Sequence, residues 1–399
     1  MSFLNPLFAA LLILFAVLSV QASFNWAKAS PDAGRFGTID GLRGYLAFFV
    51  FLHHAAIWVT YSQTGAWQAP DSHLYTHLGQ SSVAVFFMIT SFLFYDKLLN
   101  AGTRTIAWRS FLTGRFFRLM PLYATVMLVM FLVVALLSDA TLHDKPRYLF
   151  FCAVRWLSFT ILGAPDINHV DAARIVAGVT WSLPYEWCFY LLLPLLALGT
   201  GQRPTWRMLV VIVAGLATAW SAALHWHLLC IFAGGMLAAR LVRHAPFTAF
   251  ARRPLASAIV VACLGLVLLF PTAYAFLPAA LLTIAFCLVA AGADLFGVLA
   301  AKASRRFGEL AYSMYLIHGI LLFSAITFVV GKGRVAAMSG MHYWMVIALL
   351  VPVLLALSAL TYHAVEQPGI RLGRRFSARW PGKQAAQPGT DPMPAPVVV

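Results

Sequence analysis

Four ionisable side chains stand in the segment IDGLRGYLAFFVFLHHAAIW, residues 39–58, which is otherwise apolar enough to enter a membrane. Asp40 and Arg43 lie at its beginning, and His53 and His54 lie inside it. Ionisable groups within the hydrocarbon are costly and usually functional. Arg43 and His54 would be about 20° apart around a helix axis and roughly 16 Å apart along it. One helix face therefore carries a cation at its entrance and, deeper, an imidazole suited to general-base chemistry.

The structural alternative for this segment is simpler. Asp40 precedes Arg43 by three residues, a spacing that permits an ion pair on a helix. Both residues could then be anchors at the membrane interface, and His54 could be a hydrogen-bonded core histidine. The shared face of Arg43 and His54 favours the functional interpretation.

A second candidate cluster lies in FLTGRFFRLMPLY, where Arg115 and Arg118 are one helical turn apart and Pro121 follows. Two guanidinium groups at this spacing suit the oxygens of a phosphate. Arginines at the end of a span are also common as cytoplasmic anchors. The local sequence contains no acidic residue that would neutralise them, which keeps the phosphate-binding interpretation open.

A third cluster lies in TWSLPYEWCFYLLLPLL, where Ser182, Glu186 and Tyr190 follow one another at intervals of four residues. This spacing places the three side chains on one helix face. The carboxylate could accept a hydrogen bond from an alcohol or from a histidine. A glutamate at the end of a span could instead be exposed to water, with no role in chemistry.

Two further segments contain polar residues near the end of the chain. In FGELAYSMYLIHG, Tyr315 and His318 are neighbours on one helix face, and His318 is equally compatible with a core position and with a functional one. In AVEQPGIRL, Glu366 and Pro368 are interpreted as the end of the last span. That segment is expected to have a helix-terminal role only.

The elements that must position these residues are membrane-spanning helices. The chain has 399 residues, of which 61% are hydrophobic and only 10% are charged, against about 25% charged in a soluble domain. Apolar stretches long enough to cross ~30 Å of hydrocarbon recur along it. We predict an all-α, polytopic transmembrane bundle of about eleven spans, a ten-span core preceded by one extra span. The predicted spans are 4–22, 42–62, 79–97, 118–138, 179–199, 207–223, 226–242, 255–271, 275–292, 308–330 and 343–364.

The basic residues predict how these spans are oriented. The net charge is +15, and the lysines and arginines are concentrated in a few loops, as in cytoplasmic loops of membrane proteins. Residues 97–118 are therefore placed in the cytoplasm, and the loop 61–79, which has no lysine or arginine, is placed outside. This leaves Lys332 and Arg334 outside as an exception. The alternation requires residues 146–163 to lie at the interface without crossing. No separate basic domain is present to bind nucleic acid.

The predicted domain organisation follows from the same pattern. Residues 1–35 form the extra span and a short loop, residues 36–372 form the transmembrane core, and residues 373–399 form a disordered cytoplasmic tail rich in proline. The five cysteines have no metal-binding spacing and are expected to be buried, so no metal is predicted. The motifs of serine hydrolases, zinc proteases, P-loop proteins and dinucleotide-binding proteins are missing. The acyltransferase motif H-x-x-x-x-D is missing as well.

Six short motifs along the chain together resemble one family. They are D-G-L-R-x10-H, F-F-x-x-T-S-F, R-x-x-R-x-x-P, W-S-L-x-x-E-x-x-x-Y-x-x-x-P, Y-S-x-Y-L-x-H and E-x-P, in this order between Asp40 and Pro368. The series resembles the acyltransferase-3 family of bacterial integral-membrane O-acyltransferases. Thr90 and Ser91 stand where members usually have Ser-Gly, a difference expected to affect local helix packing more than chemistry.

The resemblance implies transfer of an acyl group other than an amino-acyl group, most often acetyl, from cytoplasmic acyl-CoA to a hydroxyl. The acceptor would be a sugar, a polysaccharide or another small molecule, and the location would be the bacterial cytoplasmic (inner) membrane. Membrane lipids are then the remaining partners, and acetyl-CoA is the donor substrate. The alternatives are a transporter or exporter of a small or lipid-linked substrate, for which buried charges are also expected, and a non-catalytic scaffold.

The family's motifs carry over onto particular residues of this chain. Arg115 and Arg118, with Arg43, would hold the phosphates of coenzyme A, and His54 would act as general base on the acceptor hydroxyl. Glu186 would orient His54 or the acceptor, and an acyl-histidine intermediate stays open. The candidate catalytic residues are His54, Arg43, Glu186 and Asp40, the candidate donor-binding residues are Arg115, Arg118 and Arg43, and the further candidates are Ser182, Tyr315 and His318.

Overall fold

The computed structural model describes residues 2–23, 36–102, 106–201 and 205–378, and within these ranges it is a helical bundle without a β-sheet. The predicted all-α class is confirmed. The helices of the first half are α1 (Pro6–Ser23), α2 (Gly37–Thr64), α3 (His73–Ala101), α4 (Trp108–Leu137), α5 (Pro146–Leu157), α6 (Ala172–Ile175), α7 (Leu183–Leu198) and α8 (Trp206–Ser221). Those of the second half are α9 (Trp226–Leu241), α10 (Ala245–Ala251), α11 (Pro254–Val267), α12 (Phe276–Ala291), α13 (Lys302–Glu309), α14 (Ala311–Ser324), α15 (Lys332–Ala337), α16 (Gly340–Thr361) and α17 (Gln367–Ala378).

The helices confirm a membrane-spanning protein but not the number of spans. Six continuous helical segments are long and apolar enough to cross, and the pair α9 and α10, bent by 106°, makes a seventh if it counts as one span. The other four predicted spans coincide with α1, α8, α11 and α12, which are apolar but shorter. Since a span needs about 20 residues, the count of eleven stays a prediction.

The predicted interfacial segment begins with α5, whose 12 residues extend for about 18 Å, less than the thickness of the hydrocarbon. Its length agrees with the prediction that it does not cross. Of the predicted tail, residues 373–378 continue α17 as a helix, and residues 379–399 lie outside the described residues.

Helix α2 is the central element, and glycines let its neighbours approach it closely. It packs against α3, α13 and α14. A Cβ atom on Gly308 of α13 would lie 1.7 Å from the carbonyl oxygen of Asp40, and one on Gly44 of α2 would lie 2.5 Å from the carbonyl carbon of Phe307. Only glycine fits such a crossing, which resembles the small-residue contacts between membrane helices. The crossing presses the end of α13 against the first turns of α2.

The outer surface of the bundle is apolar, as a lipid-facing surface must be. Helix α4 illustrates this, because Leu128, Leu132 and Leu136 lie one turn apart and are each about 60% exposed, at 62%, 60% and 62%. Cys230 on α9 belongs to this surface, so the prediction that all five cysteines are buried is wrong for one of them. Its side chain is apolar enough to face lipid, which is why the hydropathy pattern did not distinguish it.

Candidate active site

A cavity of about 140 Å³ lies between α2, α3, α4, α7 and α14, at the same end of α2 as Arg43. The structure brings most of the predicted site residues to it. The predicted residues that line the cavity are Arg43, Arg115, Arg118, Ser182, Glu186 and Tyr315. They come from four different segments of the chain, so the cavity is where the separate sequence motifs meet.

Three guanidinium groups share this cavity. Arg43 contacts Asp40 at 3.5 Å, as predicted from their spacing, and Arg115 lies over the ring of Phe94 with its Cζ atom 4.8 Å from the centroid. Among the described residues, no carboxylate is within ion-pair distance, 4.0 Å, of Arg115 or Arg118. No described carboxylate therefore neutralises these two guanidinium groups by direct contact, and their charge suits an anionic ligand.

Carboxylates nevertheless line the same cavity, which the local sequence around Arg115 does not show. Glu186, Glu309 and Glu366 reach it from α7, α13 and the segment between α16 and α17. Burial raises the pKa of Glu309 and Arg306 opposes that shift. The local sequence around Arg115 and Arg118 has no acidic residue, and the acids of the cavity come from parts of the chain distant in sequence.

The interpretation of Glu366 as a helix end is also wrong. Residues Tyr362–Glu366 form a π-helical segment that joins α16 to α17, so the apolar helix continues from Gly340 to Ser377. Glu366 is 2% exposed and accepts a hydrogen bond from Ser313 at 3.1 Å. A π-helical turn contains one more residue than an α-helical turn, which is enough to rotate the Glu366 side chain inward. Hydropathy alone does not reveal such a turn.

Glu186 is held by two donors that both use the same oxygen. Thr90 donates to Glu186 Oε1 at 3.2 Å, and the hydroxyl of Tyr190 donates to that atom as well. Among the described residues, no donor is within hydrogen-bond distance of Oε2. Thr90 is a site residue that the sequence analysis did not select, whereas Tyr190 was placed on the helix face of Glu186 from its spacing.

Thr90 and Ser91, which stand where members of the family usually have Ser-Gly, both have defined contacts in the structure. The Ser91 side chain is 0% exposed and packs against Gly235 of α9, where an added Cβ atom would lie 2.1 Å from Ser91 Oγ. A glycine on the partner helix thus makes room for the serine. Thr90 contacts Glu186, so this pair bears on the site as well as on packing.

His54 has a histidine as its neighbour. His318 Nε2 lies 3.0 Å from His54 Nδ1, which also lies 3.0 Å from the carbonyl oxygen of Val50. His318 Nδ1 lies 3.1 Å from the carbonyl oxygen of Met314. Since carbonyl oxygens only accept, both Nδ1 atoms carry a proton. The Nδ1–H of His54 is then shared between Val50 and the lone pair of His318 Nε2. His54 Nε2 has no hydrogen-bond partner among the described residues and is left as the basic nitrogen.

The histidine pair adjoins the cavity but does not line it. The ring of Tyr315, which does line it, has its centroid 6.1 Å from that of His318, and its hydroxyl is 2.9 Å from Ser182 Oγ. The hypothesis that Glu186 orients His54 is not what the structure shows, because the contact of His54 is with His318. Asp40 does not line the cavity either, although its carboxylate contacts the lining residue Arg43.

Comparison with known protein families gives one match. The acyltransferase domain of the acyltransferase-3 family matches residues 36–363, which is most of the chain. The chain belongs to the acyltransferase-3 family. The resemblance drawn from the six motifs is thus confirmed at the level of the family, and the helices make this member a multi-pass membrane protein.

Three relatives match about half of this acyltransferase-3 chain. It is 28% identical over 209 residues to nodulation protein 10 of Rhizobium leguminosarum bv. viciae, which is 49% of this chain and 53% of that protein. It is 29% identical over 200 residues to protein 2 in the picA locus of Rhizobium radiobacter, covering 47% and 93%. It is 27% identical over 197 residues to acyltransferase MdmB of Streptomyces mycarofaciens, covering 47% and 46%.

The matched region thus spans about half the length of the first of these relatives, at 53%, and slightly less of the third, at 46%. No solved structure matches this chain.

Proposed function

We propose that the chain is a bacterial inner-membrane O-acyltransferase that moves an acyl group, acetyl in the first instance, from cytoplasmic acyl-CoA to a hydroxyl of a sugar, a polysaccharide or another small acceptor. The observation that carries this proposal is the convergence of Arg43, Arg115 and Arg118 on one cavity, with a hydrogen-bonded histidine pair directly beyond it. Family membership supports the reaction class.

The arginine cluster is suited to the donor. Guanidinium groups bind phosphate oxygens bidentately, and coenzyme A carries its phosphates at the end opposite the thioester. The cavity of about 140 Å³ is smaller than the roughly 300–1,000 Å³ of a pocket that encloses a drug-sized ligand. We therefore place the nucleotide at the mouth of the cavity, beside Arg115 and Arg118, and only the narrow pantetheine arm inside.

His54 is the proposed general base. Its free Nε2 takes the proton of the acceptor hydroxyl while that oxygen attacks the thioester carbonyl, and the bond from the carbonyl carbon to sulfur breaks. The proton then passes from Nε2 to the departing thiolate, which leaves as the free thiol of coenzyme A. The products are the ester and coenzyme A, so atoms and charge balance without a further reactant.

His318 is a positioning residue in this scheme. By accepting the Nδ1–H of His54, it fixes the tautomer in which Nε2 is the base, and it stabilises the imidazolium that forms when Nε2 takes a proton. This is the role that an acidic residue has in many hydrolases. Glu186 has one oxygen without a described partner, and we assign it to orienting the acceptor instead of His54.

The test is a matched pair of histidine variants in purified protein. With acetyl-CoA and glycan-containing membranes of the native host as acceptor, we expect His54→Asn to lower the rate of thiol release at least ~100-fold. His53 is the control, because its ring lies 5.1 Å from that of His54 but its Nδ1 is 2.7 Å from the carbonyl oxygen of Tyr75 and makes no described hydrogen bond to His54. His53→Asn should keep most of the activity.

Two results would contradict the proposal. One is thiol release at the normal rate by His54→Asn. The other is movement of a substrate across proteoliposomes without consumption of acetyl-CoA, which is the behaviour expected of a transporter.

A further inference from the structure

The helix face that carries Arg43 and His54 continues to a third residue, Tyr61, near the end of α2. Tyr61 follows His54 by seven residues and Arg43 by eighteen, and eighteen residues make five complete helical turns. The ring of Tyr61 is thus in line with His54 and roughly 10 Å beyond it along the axis. His54 lies between this end of the face and the arginine cluster at the other.

A second pair of cations lies against Tyr61. Arg174 has its Cζ atom 4.5 Å from the centroid of the Tyr61 ring and donates to the Tyr61 hydroxyl. Lys332 has its Nζ atom 5.5 Å from the same centroid. Such distances are within the range of cation–π contacts. Both residues come from outside the long helices, Arg174 from α6 and Lys332 from α15.

Of the two cations Arg174 and Lys332, only Arg174 has an ion-pair partner among the described residues. Arg174 forms an ion pair with Asp171 at 2.6 Å, whereas no carboxylate of the described residues lies within 4.0 Å of Lys332. Partial desolvation of the ammonium group, together with repulsion by Arg174, lowers the pKa of Lys332, although its side chain is exposed. An anion bound between the two side chains would relieve that repulsion.

Unpaired donors and aromatic rings occur at the same place. Trp58, Tyr61 and Trp67 form a cluster with centroids 5.1–5.7 Å apart. Trp58 is 0% exposed, and its Nε1–H has no hydrogen-bond partner in the described protein, nor has Nε of Arg174. A buried donor without a partner is unfavourable, so the indole N–H of Trp58 and the Nε–H of Arg174 point to a ligand that accepts hydrogen bonds.

We propose that Arg174, Lys332 and the aromatic cluster of Trp58, Tyr61 and Trp67 form the acceptor-binding site, and that it recognises a sugar bearing a carboxylate or a phosphate. This inference rests on the proposed acyl transfer. The anion lies between the two cations, the partly exposed rings of Tyr61 and Trp67 pack against the apolar face of the sugar, and the hydroxyl to be acylated is roughly 10 Å away at His54. Donor and acceptor thus approach the histidine from opposite ends of one helix face.

Binding of small probes tests the site independently of catalysis. The full chain is placed in nanodiscs of phosphatidylcholine, in the background Arg115→Gln/Arg118→Gln so that phosphate cannot bind at the donor end. Glucose 1-phosphate, methyl glucoside and inorganic phosphate are titrated by calorimetry. We expect glucose 1-phosphate to bind at least 10-fold more tightly than either of the other two probes.

Lys332 and Arg334 provide a matched pair of variants, because both are on α15 and Arg334 makes no described contact with Tyr61. Lys332→Gln should weaken glucose 1-phosphate binding about 10-fold, Lys332→Arg should retain it, and Arg334→Gln should leave it unchanged. Equal loss in Lys332→Gln and Arg334→Gln would overturn the proposal, because it would indicate a general surface charge. Equal binding of glucose 1-phosphate and methyl glucoside would overturn it too.

A lipid headgroup is the other source of a phosphate at this site. Adding 20% phosphatidylglycerol to the nanodiscs should leave glucose 1-phosphate binding unchanged, and its Lys332-dependent displacement by the lipid would overturn the acceptor assignment. The proposed reaction is scored separately with His54→Asn. If that variant loses transfer but binds glucose 1-phosphate, both proposals are supported, whereas loss of transfer without any glucose 1-phosphate binding overturns the acceptor site alone.

Discussion

For His54, the sequence predicts the helix face on which the side chain lies but not the tautomer of its imidazole. Its distance of eleven residues from Arg43 is enough to place both side chains on one face of a helix. Its tautomer depends on His318, which is 264 residues away in the chain. Only the fold brings the two rings into contact, so the atom that acts as base could not be derived from spacing.

At this scale we predict the effect of replacing His318. His318→Phe removes the acceptor of the His54 Nδ1–H, so kcat should fall about 10- to 100-fold, a part of the ~10²–10⁴ that general-base catalysis contributes. The KM for acetyl-CoA should stay within about twofold, because His318 lies away from the arginine cluster. Steady-state kinetics of thiol release measure both.

His318→Gln is the matched control for that variant, because its amide oxygen can still accept the hydrogen bond. It should recover part of the lost kcat. A parallel rise in KM, or equal loss in the Phe and Gln variants, would indicate that His318 only fills the core.

At the scale of elements, the sequence predicted helices well and their ends less well. Long apolar runs identify spans because the backbone must satisfy its hydrogen bonds within the segment. The continuation of the last helix through Glu366 was missed, since a π-helical segment leaves no hydropathy signal. The close crossing of α2 and α13 was missed as well, because glycines in a sequence do not say which helix they face.

We predict that this crossing limits the stability of the site. Gly308→Ala would bring a Cβ atom to 1.7 Å from the carbonyl oxygen of Asp40, so α13 must move. Overpacking of this kind costs about 1–3 kcal/mol, and the thermal midpoint of the detergent-solubilised protein should fall. Gly265→Ala on α11 is the control, since nothing lies within 4 Å of its added Cβ atom. An unchanged midpoint for Gly308→Ala would contradict the described packing.

At the scale of the whole molecule, the sequence predicted the class of fold, the family and six of the residues that line the cavity. The arginines and Glu186 were found because polar residues are rare in these spans and therefore conspicuous. Thr90, Glu309 and Glu366 were not selected, since each resembles an ordinary helix or boundary residue until distant segments meet. The sidedness of the chain rests on its basic loops alone.

Labelling of introduced cysteines tests that sidedness. In a Cys230→Ser background the four other native cysteines are buried. Gln68→Cys and Lys302→Cys then place single exposed thiols in two loops predicted on opposite sides. An impermeant maleimide should label Gln68→Cys in intact cells and Lys302→Cys only after permeabilisation. Labelling of both in intact cells would contradict the predicted topology.

The two imidazoles of the site are ordered in one direction, each offering its N–H to the next, and the series stops at the main-chain oxygen of Met314. A carbonyl oxygen carries no proton that it could donate further, so this histidine pair cannot relay protons into α14. The proton that His54 removes from the alcohol must leave His54 on the same side from which it arrived. Acylation at this site would then proceed without proton leakage across the membrane, so the ion gradient of that membrane would be preserved.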